Sequence, residues 1–161
     1  MTTSSPPTET RAARYELAIL IEAPASEVWR AIIEDTDGWW ISELRCVGPE
    51  STVTLEARAG GQLIENQADG ASLLWFTVIE IAPQVSLNLA GHLAPPYGGP
   101  ATTYLRLHLI EEASGADART RVELTSSMHG AFDEDTLQAT AAGWRMLLEE
   151  GLKPHVETAQ R

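Results

Sequence analysis

The side chains in this chain that could attack a bond, carry a proton or hold a metal are four histidines, one cysteine and a scatter of carboxylates. His92, His108 and His129 fall in stretches of alternating polar and apolar residues, so their spacing follows from strand pairing. Pairing across the loop at 94–101 sets His92 near Thr102 or Thr103, and pairing across the 114–117 turn sets His129 near the same residues from the other side. The two backbones are then two strands apart, about 9.6 Å at roughly 4.8 Å per strand, with His108 further along. Zinc needs ligand nitrogens at about 2.0–2.1 Å, and the chain has no H-E-x-x-H and no cysteine pair. The same alternation puts the three histidines opposite the leucine face, in exposed or structural roles. No metal and no cofactor is expected.

The nucleophile candidates are weaker still. Cys46 has no basic motif beside it, and Ser126-Ser127 lacks the G-x-S-x-G turn that exposes a serine. Glu65, Asn66, Gln62 and Asn88 could project into a groove as acid, base or orienter of a cyclase-like site. The simpler reading gives these polar side chains to water, because strands two and three flank the open edge of the sheet. No catalytic residue is assigned. Trp29 and Trp144 lie on apolar helical faces and read as core, whereas Trp39, Trp40 and Trp75 suit either a core or the wall of a cavity for a flat ligand.

The elements that would position these groups are legible from periodicity. Tyr15, Leu17, Ile19 and Ile21 alternate with polar or small residues, a half-buried first strand that Ala23-Pro24 stops. A short helix follows over about 26–34, with Ser26 as its cap. After a break at 35–38, Gly38-Trp39-Trp40-Ile41 begins a second short helix or turn. From Ser51 the texture is that of strands: Val53 to Ala57, Leu63 to Gln67, Leu73 to Ile81, Val85 to Leu89, Leu105 to Leu109 and Val122 to Met128. Gly60-Gly61, Asp69-Gly70, Pro83, the loop APPYGGPA at 94–101 and a turn at 114–117 separate them. The result is an antiparallel meander of six strands after two helices.

A long helix from Asp133 to Glu157 closes the chain. Leu137, Ala141, Trp144, Leu148, Leu152 and Val156 recur at steps of three or four on one stripe. Asp133 is its N-cap, and Glu134 and Asp135 complement the positive end of its dipole. Gly143 would permit close approach to the sheet. Gly151 and Pro154 predict a bend or early fraying. Meander parity brings the 67–71, 94–101 and 130–133 connections to one end of the sheet, where the helix starts. That arrangement encloses a groove with its mouth near Tyr97.

Composition sets the outer limits. The 161 residues carry a net charge of −12, which repels phosphate backbones and anionic lipid, so neither nucleic acid nor a membrane is expected as a partner. One cysteine forms no internal disulfide, and no apolar run approaches a membrane span. Residues 1–12, rich in Thr, Ser and Pro without an apolar signal core, read as a disordered tail, and 13–158 as one domain. The expected location is the reducing cytoplasm.

Ala23-Pro24-Ala25-Ser26-Glu27-Val28-Trp29-Arg30-Ala31, Trp39-Trp40, Gly60-Gly61, VIEIAP at 78–83, Thr120-Arg121-Val122-Glu123-Leu124 and Gly143-Trp144 occur in an order that resembles the activator of heat-shock ATPase homologue-like family. That family lies in the START-like, birch-pollen-allergen-like superfamily. The resemblance implies an α+β helix-grip fold: a seven-stranded curved antiparallel sheet around a long C-terminal helix, over a hydrophobic cavity. Two positions depart from the family pattern, Phe76 where a glycine is frequent and Gly91-His92 where the fifth strand often carries an aromatic. The leading function is binding of a small hydrophobic molecule. Its candidate wall is Trp39, Trp40, Trp75, Leu89, Tyr97, Leu107, Met128, Phe132, Leu137, Trp144 and Leu148. The alternatives are a chaperone-regulating module, implied by the resemblance, and a cyclase- or hydrolase-type enzyme using the same cavity.

Overall fold

The computed structural model describes residues 2–159. Of the expected tail, Met1 lies outside the described residues and 2–10 contain no helix or strand. Strand β1 (Arg11–Ile21) starts two residues before the expected domain boundary at 13. Helices α1 (Ala25–Glu34) and α2 (Thr36–Trp39) follow, then a 3₁₀ turn at Ser42–Leu44. The meander consists of β2 (Thr52–Leu55), β3 (Gln62–Asn66), β4 (Ser72–Ala82), β5 (Ser86–Leu93), β6 (Ala101–Ala113) and β7 (Arg119–Gly130). Two local expectations are corrected. Pro24, not Ser26, precedes the first turn of α1 and no side chain caps it, since Pro tolerates the position where an N–H has no partner. The supposed break at 35–38 is largely helix, α2 beginning at Thr36, whose hydroxyl donates to Ile32 O at 2.9 Å and ties it to α1.

The seven strands form one antiparallel sheet in the order β1-β7-β6-β5-β4-β3-β2. Register aligns the inner faces: Leu87 opposes Leu107, Leu107 opposes Leu124 and Leu124 opposes Leu17. Alternation along β6 and β7 buries Leu105, Leu107, Leu109, Val122, Leu124 and Met128, the period-two signature of a sheet with one covered face. Helix α3 (Glu134–Met146) lies across that face and begins as its sequence dictates, with Asp133 Oδ1 accepting from the Thr136 amide at 2.8 Å.

The expected fraying near Gly151 does not occur. The helix passes through a π-helical segment, Leu147–Leu152, into α4 (Lys153–Ala159). Pro154, which has no N–H to give to the helical ladder, is the second residue of α4, directly after the π-helical segment where that ladder changes step. Gly151 permits the segment to press on α2, because a Cβ there would run into the Trp39 carbonyl oxygen. Trp144, Leu148, Leu152 and Val156 are buried, while Leu137 and Ala141 near the start of the stripe are half-buried. Among the described residues no helix is long and apolar enough to cross a membrane.

Candidate functional site

A cavity of about 560 Å³ opens between the first turns of α3 and strands β4 and β5. Its helix wall is Thr136, Ala139, Thr140, Gly143, Trp144 and Leu147, a stripe next to the leucine stripe and made mostly of small residues. Those small side chains are why space remains there: the apolar stripe meets the sheet, and its neighbour stops short of it. Gly143 does not mediate close approach, contrary to expectation. A Cβ there would touch only Leu44 Cδ2, at an ordinary 3.6 Å. The sheet contributes Leu73, Leu74, Trp75, Phe76, His92, Leu93 and Thr103, the segment after α2 contributes Leu44 and Cys46, and the loop at 94–98 closes one end with Ala94, Tyr97 and Gly98.

Of the candidate wall residues, Trp75, Tyr97 and Trp144 do line this cavity. Trp40 stands directly behind it, its ring 5.0 Å from Trp75 and 6.1 Å from Trp144. Both Trp39 and Trp40 are buried and border a separate, shallower groove beside Gly151 and Pro154. Leu89, Leu107, Met128 and Leu148 are buried core residues and do not line the cavity. Phe132 lies beneath the Arg11 guanidinium, 5.1 Å from its ring centre. Leu137, next to Thr136 in the chain, is half-buried and does not line the cavity.

Phe76 and Gly91 share one space in the cavity wall. A Cβ on Gly91 would lie 2.8 Å from Phe76 Cδ1 and 2.5 Å from the Trp75 carbonyl oxygen. The Phe76 ring therefore takes the space that a side chain at 91 would fill, and stacks at 5.9 Å on Trp144. The aromatic floor at this point is supplied by β4.

Glu65 is where the sequence reading fails most. Its side chain is fully buried, not solvated. The carboxylate accepts from the Ser51 hydroxyl at 2.6 Å, the Val47 amide at 2.9 Å, the Trp75 indole N–H at 3.0 Å and the Cys46 amide at 3.1 Å. Burial pushes its pKa up, but the bonds from Ser51, Val47, Cys46 and Trp75 outweigh that and hold it below the ordinary glutamate value. With every donor internal, this is a clamp: it ties the 46–51 segment to β3 and β4 and sets two wall residues, Cys46 and Trp75. Arg45 reinforces the segment from outside, pairing with Asp37 at 2.9 Å and donating to the Trp40 and Ser51 carbonyls. A signal existed in the sequence, since Glu65 lies on the inward parity of Leu63, but three of its four donors come from an irregular segment that no periodicity describes. Cys46 borders the cavity with its thiol pKa raised, by burial first and by the Glu65 charge second.

The histidines take the places that pairing assigns. His92 and His129 both oppose Thr102, from either side, and both are exposed, His92 at the cavity rim. His108 lies 3.5 Å from Glu123, and His155 lies 2.8 Å from Asp35. Among the described residues no group of three or more His, Cys, Asp or Glu is arranged to hold a metal ion.

No protein-family model matches the chain. No curated protein matches it either. Solved structures do. A conserved protein of unknown function from Enterococcus faecalis superposes with a TM-score of 0.67 at 18% identity, over 96% of this chain and 77% of that one. Ara h 8.0201 superposes with a TM-score of 0.61 at 11% identity, over 92% and 99% of the two chains. This is the helix-grip fold. A third match is a norcoclaurine synthase from Thalictrum, a point mutant in complex with a transition-state analogue, with a TM-score of 0.56 at 10% identity over 98% and 100%. At such identities the likeness speaks for the fold alone, and a fold does not fix an activity.

Proposed function

We propose that the chain binds a small hydrophobic molecule between α3 and the sheet, as a carrier or sensor in the cytoplasm, without performing chemistry on it. The observation that carries this reading is the cavity itself: about 560 Å³, walled by Trp75, Phe76, Trp144 and Leu147, and fixed on one side by the buried Glu65 clamp. That volume and lining suit a drug-sized apolar ligand. Assignment to the activator of heat-shock ATPase homologue-like family within the helix-grip proteins is part of the same proposal and rests on the motifs quoted above. A chaperone as partner rests on that resemblance alone.

Cys46 provides the test, because its thiol borders the cavity. An apolar fluorescent probe such as an anilinonaphthalene should bind with a stoichiometry of about one and slow alkylation of Cys46. Thr140→Trp, which fills the cavity from the helix side, should abolish both effects while the chain stays folded. Probe binding unaltered by Thr140→Trp would place the ligand elsewhere and refute the reading.

A further inference from the structure

The cavity is apolar but not electrically neutral, and the sign of its charge narrows what fits. This rests on the reading above that the cavity binds a small molecule. Among the described residues no lysine or arginine lines it; the ionisable wall groups are Asp135, His92, Cys46 and Tyr97. Behind the wall sits the Glu65 carboxylate, 3.0 Å from the Trp75 indole nitrogen and without a cationic partner, its bonds all coming from neutral donors. Nearby cations are neutralised locally: Arg11 bonds Glu134 at 3.1 Å, and Arg45 bonds Asp37 at 2.9 Å. The positive end of α3 is also close, but Asp133 caps it and Glu134 and Asp135 follow in its first turn. Asp135 itself makes no ion pair among the described residues. Trp144, Trp75 and Phe76 line the same cavity, and an aromatic ring face attracts a cation through its quadrupole. The Glu65 charge, being buried, acts more strongly than in water, whereas exposed Asp135 acts through solvent at the cavity mouth.

We propose that the cavity selects by charge, taking a protonated aromatic amine with its ring system against Trp75, Phe76 and Trp144 and its ammonium group toward Asp135, and disfavouring the carboxylate of the same skeleton. A matched series tests it: 1-naphthylmethylamine, 1-naphthalenemethanol and 1-naphthoate, titrated by calorimetry at about pH 8, above the ordinary histidine range. The amine binds at least about tenfold more tightly than the carboxylate, with the alcohol between them. Asp135→Asn, a change on the exposed first turn of α3, weakens the amine at least about threefold and leaves the alcohol unchanged. If the carboxylate binds as tightly as the amine, charge selection is overturned while the alcohol's binding keeps the cavity reading intact. If Asp135→Asn leaves the amine's advantage untouched, the placement of the ammonium group is overturned. If none of the three binds, both readings fall together.

Discussion

Replacing Glu65 with glutamine changes few atoms and tests the clamp directly. The carboxylate is fully buried and accepts four hydrogen bonds of 2.6–3.1 Å. Hydrogen bonds to a charged group contribute roughly 1.5–3 kcal/mol each, so the four sum to about 6–12 kcal/mol. Desolvating the carboxylate opposes this by several kcal/mol. The amide of Glu65→Gln keeps one acceptor oxygen and turns an NH₂ group toward the donors on the other side, leaving buried N–H groups unmatched. Removing one member of a buried charged network typically costs about 3–5 kcal/mol, and that is the expected loss in urea unfolding. The pH dependence supplies a second readout. Because the folded-state pKa is depressed, the contribution is fully present above the ordinary glutamate value of about 4.3 and is lost as pH falls from there through the lower folded value. Glu65→Gln should lack this acid limb, so the two stability curves converge at low pH. A loss under about 1 kcal/mol at neutral pH, or parallel acid limbs, would refute the clamp.

Three further outcomes follow from the cavity. Trp144→Ala removes a buried ring that touches Trp40 and Phe76 and should destabilise the fold by about 3–5 kcal/mol; a loss below about 1 kcal/mol in denaturant unfolding would take this residue out of the core. Gly143→Ala adds a methyl group where only Leu44 lies within reach and should stabilise the helix by about 0.5–1 kcal/mol, measured by thermal unfolding. The loop at 94–100 leans on α3, since Gly98, at φ +95, lets its backbone pack against Thr136. If that contact gates the cavity, Tyr97→Ala should speed probe release in stopped-flow with little loss of stability, and bound probe should slow amide exchange at 97–99.

How much the sequence discloses depends on whether a residue's partners share its periodicity. Asp133 reads as a cap because the cap, the amide it accepts from and the first-turn acids are all local. The meander reads because alternation and turn residues agree, and its parity correctly gathers the 94–101 loop and the start of α3 at one end. Glu65 defeats the same method because three of its four donors lie 14–19 residues away in a segment without period. The cavity wall is missed by one helical position: attention to the leucine stripe through 137, 144 and 148 passes over the small-residue stripe through 136, 140 and 143, which is what leaves the space. The π-helical segment is hidden because Leu148, Leu152 and Val156, at steps of four, keep an apolar face through either kind of turn.

The shared space of Phe76 and Gly91 limits the order in which these two positions can change. Two aromatics cannot occupy the site together, and the β4 backbone itself now leans into the space at Gly91. The passable route therefore runs through a sequence small at both positions, carrying a temporary hole in the floor. Neither position can revert alone without clash or void, so the pair is locked by epistasis. Homologues would be expected to divide into two groups, aromatic on β4 or aromatic on β5, with few members between, and ligand preference should follow that division more closely than overall sequence identity.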